Sequence, residues 1–474
     1  MAFRYLLFLT TCLFGTGDPL TVSADEQSDV RTAMKSAVDF FMSDVAVNGG
    51  YVYFYSPDLS RRLGEGVASP TEIWVQPPGT PTVGLALIKA WHATGDHLYL
   101  KGATDAAEAL IYGQLKSGGW TSSVDFDPRG RTAAYRHGKG KGRNFSTLDD
   151  GTTQGALQLL MRVDQAHEFN HQQIHEATQI ALDALLKAQF QNGAFPQGWD
   201  EVDVATNQPV LSGTYPDYDW KTEGRIKEYW DLYTLNDGAA GTITETLLAA
   251  HDIYGAKRYE TALERLGDFL IVSQMPQPQP AWAQQYNFQM NPVWARRFEP
   301  AAIAGRESQD VIASLMKIYV ATGNPKYLQP VARAIKYLET STLDDGRLAR
   351  YYELRSNRPL YMERNGDKYS LTYDDSRLPK HYGWKVENRL ADLKAEFERL
   401  TKAGPVAKKP SPLRADRVQQ IISSLDSTGR WINRYNGERL IGQAKFKIGD
   451  SYISSEEFST NLTTLARWLT QQSQ

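Results

Sequence analysis

Arginine is concentrated in two stretches in the second half of the chain. The first, Trp294–Pro300, reads Trp-Ala-Arg-Arg-Phe-Glu-Pro and lies in a segment without helical periodicity. The second runs from Arg350 to Arg364. A planar guanidinium binds a carboxylate through two parallel hydrogen bonds, so several arginines in one cleft indicate a ligand that carries many carboxylates. The bland alternative is surface ion pairing, which stabilises little per pair. By residue type alone Arg296 is a carboxylate clamp, because a guanidinium keeps its proton in proteins.

Two acidic turns stand at matching places in the chain. Asp149-Asp150-Gly151 and Asn236-Asp237-Gly238 each come directly before a stretch with helical periodicity. Asp and Asn often cap the first amides of a helix, and this is the simpler interpretation of both turns. Carboxylates that neighbouring repeats bring together are also the oxygen ligands that calcium prefers. Both interpretations stay open at this point, since a cap can also be a ligand.

Other reaction classes lack their signatures. The histidines show no convincing metal-ligand spacing, and His171 and His175 lack the glutamate of the zinc-protease motif. There is no glycine-rich phosphate loop and no nucleophile elbow. The formal net charge of -3 indicates neither nucleic acid nor an anionic membrane as a partner. One basic loop is by itself more typical of a solvated face; it contains Arg129, Arg131, Arg136, Lys139, Lys141 and Arg143.

The chain repeats a unit of two amphipathic helices followed by a turn of glycine and aromatic residues. Apolar residues spaced by three and four mark the helices. The interhelix sequence Ala93-Thr94-Gly95-Asp96 recurs as Ala321-Thr322-Gly323-Asn324, where glycine ends a helix in a left-handed cap. Helix pairs that cannot bury their apolar faces alone must stack. We therefore predict a mainly all-α protein, an α/α toroid built from helical-hairpin repeats.

Long segments without periodicity separate the repeats, and segments of this length in a compact domain are usually functional. We expect residues 121–146, 200–234 and 286–306 to line the cleft of the toroid. The toroid domain is predicted over residues 25–402. Residues 403–474 are predicted to be a linker and a C-terminal helical extension that packs on the toroid.

The amino terminus predicts export. Arg4 is followed by a short apolar run and then by small residues up to Ala24, which is the pattern of a secretory signal peptide over residues 1–24. The apolar run is too short to span a bilayer. The only cysteine, Cys12, lies inside this segment, so the processed protein has no disulfide. We expect a secreted or periplasmic protein without a membrane span.

Taken together, the motifs resemble those of the polysaccharide lyase family 10 pectate lyases from about residue 80 to residue 385. The resemblance is carried by a set of short segments that are specific in combination: Thr147–Thr153, Leu235–Ala239, Trp282–Tyr286, Ala295–Pro300, Glu307-Ser308, Arg350–Glu353 and Asn357–Pro359. It implies a helical toroid whose cleft binds polygalacturonate, with Ca²⁺ as the cofactor.

The resemblance also implies roles for individual residues. Asp149 and Asp237 match calcium-site aspartates, and Asp150 is the alternative to Asp149 as the residue that faces the metal. Arg296 matches the catalytic base, a role that residue chemistry alone does not assign to it. Arg350 and Arg364 match arginines that bind substrate carboxylates. Calcium and arginine would neutralise the uronate carboxylate and stabilise the charge that develops at C5 during β-elimination to 4,5-unsaturated oligogalacturonides.

Two functions compete with this interpretation. A glycoside hydrolase on the same type of toroid could use two of the aspartates as its acid and base or nucleophile on a uronic-acid-containing polysaccharide. Against it stands the density of arginine, which a glycosidase of neutral sugars does not need. A non-catalytic pectin-binding homologue is the second alternative.

Overall fold

The computed structural model describes residues 24–138, 140–200, 209–221 and 226–472. The predicted signal peptide lies outside the described residues except for its last position. No helix in these ranges is both long enough and apolar enough to cross a membrane.

Helices dominate the described residues. They are α1 (Ala24–Phe40), α2 (Thr80–Thr94), α3 (His97–Tyr112), α4 (Thr152–Ala166), α5 (Gln172–Lys187), α6 (Ala239–Tyr254), α7 (Lys257–Val272), α8 (Gly305–Thr322), α9 (Gln329–Thr340), α10 (Leu390–Ala403), α11 (Ala415–Ser423) and α12 (Ser455–Gln472). The predicted repeat is confirmed, because α2–α3, α4–α5, α6–α7 and α8–α9 are successive helical hairpins.

The first helices of the hairpins form the inner wall of the molecule. Helix α2 packs on α4, α4 on α6, and α6 on α8, while α12 packs on α2 and α10 on α8. Residues of α2, α6, α8 and α12 line a shared central cavity of about 790 Å³. A line of inner helices around a central cavity, with the second helices outside, is the predicted α/α toroid.

The repeated interhelix turn has the predicted cause. Gly95 ends α2 and Gly323 ends α8 with φ values of 73° and 69°, in the left-handed region that a side chain disfavours. The aromatic turns recur as well. The indole N–H of Trp120 donates to the Leu110 carbonyl at the end of α3, and that of Trp282 donates to the Leu270 carbonyl at the end of α7.

Short strands join neighbouring repeats at one end of the toroid. They are β1 (Phe54–Tyr55), β2 (Arg62–Leu63), β3 (Glu72–Trp74), β4 (Ser123–Asp125), β5 (Ser146–Thr147), β6 (Gly198–Trp199), β7 (Tyr233–Thr234), β8 (Gln285–Tyr286), β9 (Ile303–Ala304), β10 (Leu348–Ala349), β11 (Tyr351–Tyr352), β12 (Pro359–Asn365), β13 (Lys368–Thr372), β14 (Lys385–Val386), β15 (Ile432–Arg434) and β16 (Ser451–Ser454).

Strand pairing sets the register between repeats. β5 pairs with β6 through Ser146 and Trp199, and β7 pairs with β8 through Tyr233 and Tyr286. β9 pairs with β11, and β12 and β13 form an antiparallel hairpin beside them. Since β5, β7 and β9 each come shortly before an inner helix, the pairing holds the N-terminal ends of α4, α6 and α8 at the same end of the toroid.

The carboxyl-terminal residues pack closely on the amino-terminal part of the toroid. β16 pairs with β1 in a sheet of order β15-β16-β1-β2, and α12 packs along α2 beside α1 and α11. The Ser455 backbone N–H donates to the Tyr53 carbonyl. The division into a domain at 25–402 and an extension at 403–474 stays a prediction.

Candidate active site

The two acidic turns have nearly the same backbone. Each is a short 3₁₀ turn, at 149–151 and at 236–238, and each runs directly into an inner helix. Asp150 and Asp237 occupy equivalent positions with φ values of 47° and 48°, which Asp tolerates better than most residues. The structural counterpart of Asp237 is therefore Asp150, whereas Asp149 corresponds to Asn236.

Three carboxylates meet where the turns approach each other. One carboxylate oxygen each from Asp149, Asp150 and Asp237 lies within 4.8 Å of the others. Oδ1 of Asp149 is buried and has no hydrogen-bond partner among the described residues. A cluster of hard oxygen donors with an unpartnered buried oxygen fits a divalent cation such as calcium. The structure thus brings the two predicted metal ligands together and adds Asp150 to them.

Arg296 connects the two turns. Its Nη2 lies 2.6 Å from Asp149 Oδ2, and its Nη1 lies 3.5 Å from Asp237 Oδ2. Glu299, three residues further along the same loop, accepts hydrogen bonds from the Arg296 backbone N–H and from Nη1. The Tyr229 hydroxyl lies 3.4 Å from Nε. Every nitrogen of the guanidinium is therefore held by a named partner, while 27% of the side chain stays exposed.

Arg350 forms ion pairs with Asp237 and with Glu307. Its Nη2 lies 3.3 Å from Asp237 Oδ1 and 3.2 Å from Glu307 Oε1, and its guanidinium carbon lies 4.7 Å from the centre of the Tyr382 ring. The side chain is only 6% exposed. Its Nε is buried without a partner among the described residues, which leaves one donor of Arg350 for a further acceptor.

Arg364 lies on the wall of a second, smaller cavity. This cavity, of about 340 Å³, is lined by Arg296, Arg297, Phe298, Arg364, Asp367 and Tyr369. Arg364 donates from Nε to the Gly366 carbonyl and is 45% exposed. Arg296 and Arg364 therefore face the same cavity, whereas Arg350 lies beneath the acidic cluster.

The neighbours of the three aspartates shift their pKa values in opposite directions. Burial raises the pKa of Asp149 well above its usual value, against the attraction of Arg296. Desolvation by the surrounding walls, followed by repulsion from Asp237 and Glu65, raises the pKa of Asp150 to about 6. Desolvation also acts on Asp237, but Arg350 and Arg296 outweigh it and hold the pKa of Asp237 below its usual value.

The guanidinium of Arg296 is held in its charged form. Burial acts to lower the pKa of Arg296, but the charges of Glu299, Asp149 and Asp237 outweigh it and raise the pKa above its usual value. In this structure Arg296 is a cation between carboxylates, as residue chemistry alone predicts.

Sequence reasoning gave no role to three further residues of the site. Glu299 is 1% exposed and belongs to the same motif as Arg296. Arg306, in the first turn of α8, lies 3.6 Å from Asp237 Oδ1 and lines the central cavity. Tyr229 belongs to a short 3₁₀ turn, 229–231, in the long segment at 200–234. The motif around Glu299 and the position of Arg306 beside Glu307 were available signals, whereas no local pattern marks Tyr229.

The carboxylate cluster and the arginines lie together at one end of the helical toroid, and the family match gives the class of this site, a polysaccharide lyase. The model of the pectic acid lyase family matches residues 114–348, which include Asp149, Asp237 and Arg296 and end just before Arg350. The chain belongs to the pectic acid lyase family, and it is a pectate lyase. The resemblance inferred from the motifs is confirmed.

Solved structures with related architecture are distant in sequence. The family 10 polysaccharide lyase from Cellvibrio cellulosa is 19% identical, with a TM-score of 0.47, over 69% of this chain and 98% of that one. A D-mannose isomerase is 13% identical, with a TM-score of 0.47, over 95% and 100%. The GH76 α-mannanase of Bacteroides thetaiotaomicron is 10% identical, with a TM-score of 0.44, over 95% and 99%. No curated protein matches the chain.

Proposed function

We propose that this pectate lyase is secreted and cleaves polygalacturonate by calcium-assisted β-elimination, leaving a 4,5-unsaturated sugar at the new end. The observation that carries the proposal is the meeting of Asp149, Asp150 and Asp237 with Arg296 at one point of the cleft. Family membership favours elimination over hydrolysis. The predicted signal peptide supports secretion.

Asp149 and Asp237 are the proposed calcium ligands, and Asp150 joins them. The fit rests on the three oxygens within 4.8 Å and on the buried, unpartnered Oδ1 of Asp149. A bound calcium ion would neutralise the uronate carboxylate and so acidify the C5–H bond of that sugar. Three carboxylates close together also need a counter-charge, because like charges at this distance repel.

Arg296 is the proposed catalytic residue. Its position between Asp149 and Asp237, with 27% of its side chain exposed toward the cleft, suits contact with a uronate bound at the acidic cluster. With its carboxylate partners in place the guanidinium keeps its proton and can bind a substrate carboxylate. The resemblance also makes Arg296 the acceptor of the C5 proton. That role requires another cation to engage its partners, because they raise its pKa.

Arg350 and Arg364 are the proposed substrate-binding arginines, at two different depths. Arg364 offers an exposed guanidinium on the wall of the cavity that it shares with Arg296. Arg350 has one unpartnered donor, Nε, under the cluster, and its other contacts fix the orientation of Asp237. Carboxylates on two sugars of the polymer would each have one of these arginines as a partner.

Incubation of the processed protein with polygalacturonate and Ca²⁺ tests the proposal. We expect ultraviolet-absorbing unsaturated oligosaccharides, loss of the product with a chelator, and recovery when Ca²⁺ is added back. New reducing ends without ultraviolet absorbance would replace elimination with hydrolysis. Binding of the polymer with neither product would leave only the non-catalytic alternative. A suitable matched control variant is Arg258→Ala. Arg258 lies on the outer helix α7, where it pairs with Asp183 of α5, and its removal should leave full activity.

A further inference from the structure

The basic loop before β5 divides into arginines with partners and one arginine that stacks on aromatic rings. Arg129 is paired with Asp127, Arg136 with Glu176, and Arg131 donates to the Val67 carbonyl. Lys139 lies outside the described residues. These contacts account for most of the loop as an ordinary charged surface. Arg143 is different, and it is the member of the loop nearest to β5.

Arg143 is held by two aromatic rings. Its guanidinium carbon lies 4.1 Å from the centre of the Phe145 ring and 5.8 Å from the centre of the Trp230 ring. The side chain is exposed, and its guanidinium makes no hydrogen bond or ion pair within the described part of the chain. Stacking on a ring fixes the plane of a guanidinium and leaves the N–H groups at its edge free for an acceptor.

The stack is continuous with the active site. Trp230 follows Tyr229, and their ring centres are 5.3 Å apart in an edge-to-face arrangement. The Tyr229 hydroxyl in turn lies 3.4 Å from Arg296 Nε. Trp230 is fixed through its carbonyl, which accepts the backbone N–H of Gln197 beside β6. Because Phe145 comes directly before β5, the same strand that leads to Asp149 also carries one wall of the stack.

We propose that Arg143, Phe145 and Trp230 form a further subsite that binds a galacturonate residue of the polymer away from the point of cleavage. The half-buried rings offer an apolar face for a pyranose, and the edge of the Arg143 guanidinium binds the carboxylate of that sugar. The inference rests on the proposed function, because it assumes a polyuronate in the cleft.

Asp231, next to Trp230, is an exposed carboxylate within electrostatic reach of Arg143. It opposes the binding of a uronate and thereby limits the affinity of the subsite. The subsite therefore predicts changes of opposite sign. Removal of Arg143 weakens binding of long substrates, whereas Asp231→Asn strengthens it.

Steady-state kinetics on oligogalacturonides of increasing length tests the subsite. For Arg143→Ala we expect the KM on polygalacturonate to rise roughly 5- to 20-fold with little change in kcat. On the shortest cleaved oligomer we expect KM to stay within about twofold, because that substrate does not reach the subsite. Arg129→Ala, an exposed arginine of the same loop that already has its own acidic partner, is the matched control and should be unchanged at every length.

Two outcomes would overturn the subsite. One is an Arg143→Ala variant whose KM ratio to the parent is the same at all substrate lengths. The other is an Asp231→Asn variant that weakens binding of the polymer. Arg143→Lys keeps the charge but not the planar fork, and it should recover only part of the affinity. If the parent protein gives no unsaturated product at all, the proposed function fails, and this result is distinct from an active parent whose Arg143 variant behaves normally.

Discussion

The two acidic turns of the site share a backbone and differ in the pKa values of their equivalent aspartates. Asp150 and Asp237 have φ values within a degree of each other, and each lies just before an inner helix. Asp237 is 10% exposed among Arg296, Arg306 and Arg350, which hold its pKa low. Asp150 is exposed, accepts a hydrogen bond from Gln76, and has a pKa raised to about 6. Local sequence determines the shape of each turn, whereas burial and residues distant in sequence determine the pKa of its aspartate.

The turns differ again one residue earlier. Asp149 is bound by Arg296 at 2.6 Å, whereas its counterpart Asn236 is 1% exposed and neither of its amide atoms has a partner within the described ranges. A carboxylate at position 236 would have no adjacent cation of its own. The repeat therefore provides two equivalent backbone positions and uses only one of them for a charge.

Removal of the guanidinium that joins the two turns should have the largest effect. For Arg296→Ala and Arg296→Lys we expect kcat to fall on the order of 10²- to 10³-fold, because neither variant places a planar cation between Asp149 and Asp237. Binding of polygalacturonate should remain measurable by calorimetry. A fully active Arg296→Lys variant would remove Arg296 from its proposed role.

The second prediction concerns a variant that gives both turns the sequence Asp-Asp-Gly. Asn236→Asp buries a new carboxylate beside Asp237, and without a partner it should cost about 3 kcal/mol of unfolding free energy in the metal-free protein. Denaturant unfolding at pH 8 measures this, with Asn236→Ser as the control that removes the amide without adding charge. Equal stability of the Asp variant and the parent would show that the existing arginines serve both turns.

Neutralising the exposed Asp150 should raise the unfolding free energy, whereas Asn236→Asp should lower it. Asp150→Asn removes a carboxylate whose ionised form the fold disfavours, so the metal-free protein should gain roughly 1 kcal/mol at pH 8, with allowance for solvent screening. Calcium affinity should fall at the same time. A variant that loses stability without calcium would contradict the repulsion inferred at this position.

The smallest expected effect is the change with pH of the stability difference between Asp150→Asn and the parent. The folded-state pKa of Asp150 is raised from 3.8 to about 6, so the folded protein binds more protons than the unfolded chain between these values. The contribution of Asp150 to stability is therefore highest at low pH, declines as pH rises to about 6, and is constant above that. Unfolding of the parent and Asp150→Asn across this range should show the two stabilities diverging as pH rises. Calcium affinity should weaken below about pH 6, because protons compete for the ligands.

The helical hairpins were predictable because their causes are local. Gly95 and Gly323 end helices wherever they occur, and the periodicity of the apolar residues requires the helices to stack. The acidic turns were likewise visible as motifs. The glycine that follows in each turn already pairs Asp150 with Asp237 in the sequence, and the left-handed backbone of both residues agrees with this pairing.

The contacts around Arg296 and Arg350 could not be predicted from local sequence. Arg296 meets Asp149 across 147 positions of the chain and Tyr229 across 67. Arg350 and Arg364 stand near each other in sequence, yet one is buried under Asp237 and the other is exposed on a cavity wall. Spacing identifies arginines that could bind carboxylates, but the fold decides which of them are already occupied by carboxylates of the protein.

Calcium titration of the processed, chelator-treated protein, followed by calorimetry, tests the acidic cluster most directly. We expect a saturable calcium site in the parent at pH 8, its loss in Asp237→Asn, and weaker binding in Asp150→Asn. Calcium binding in Asp237→Asn equal to that of the parent would contradict the proposal that the two turns hold the metal between them.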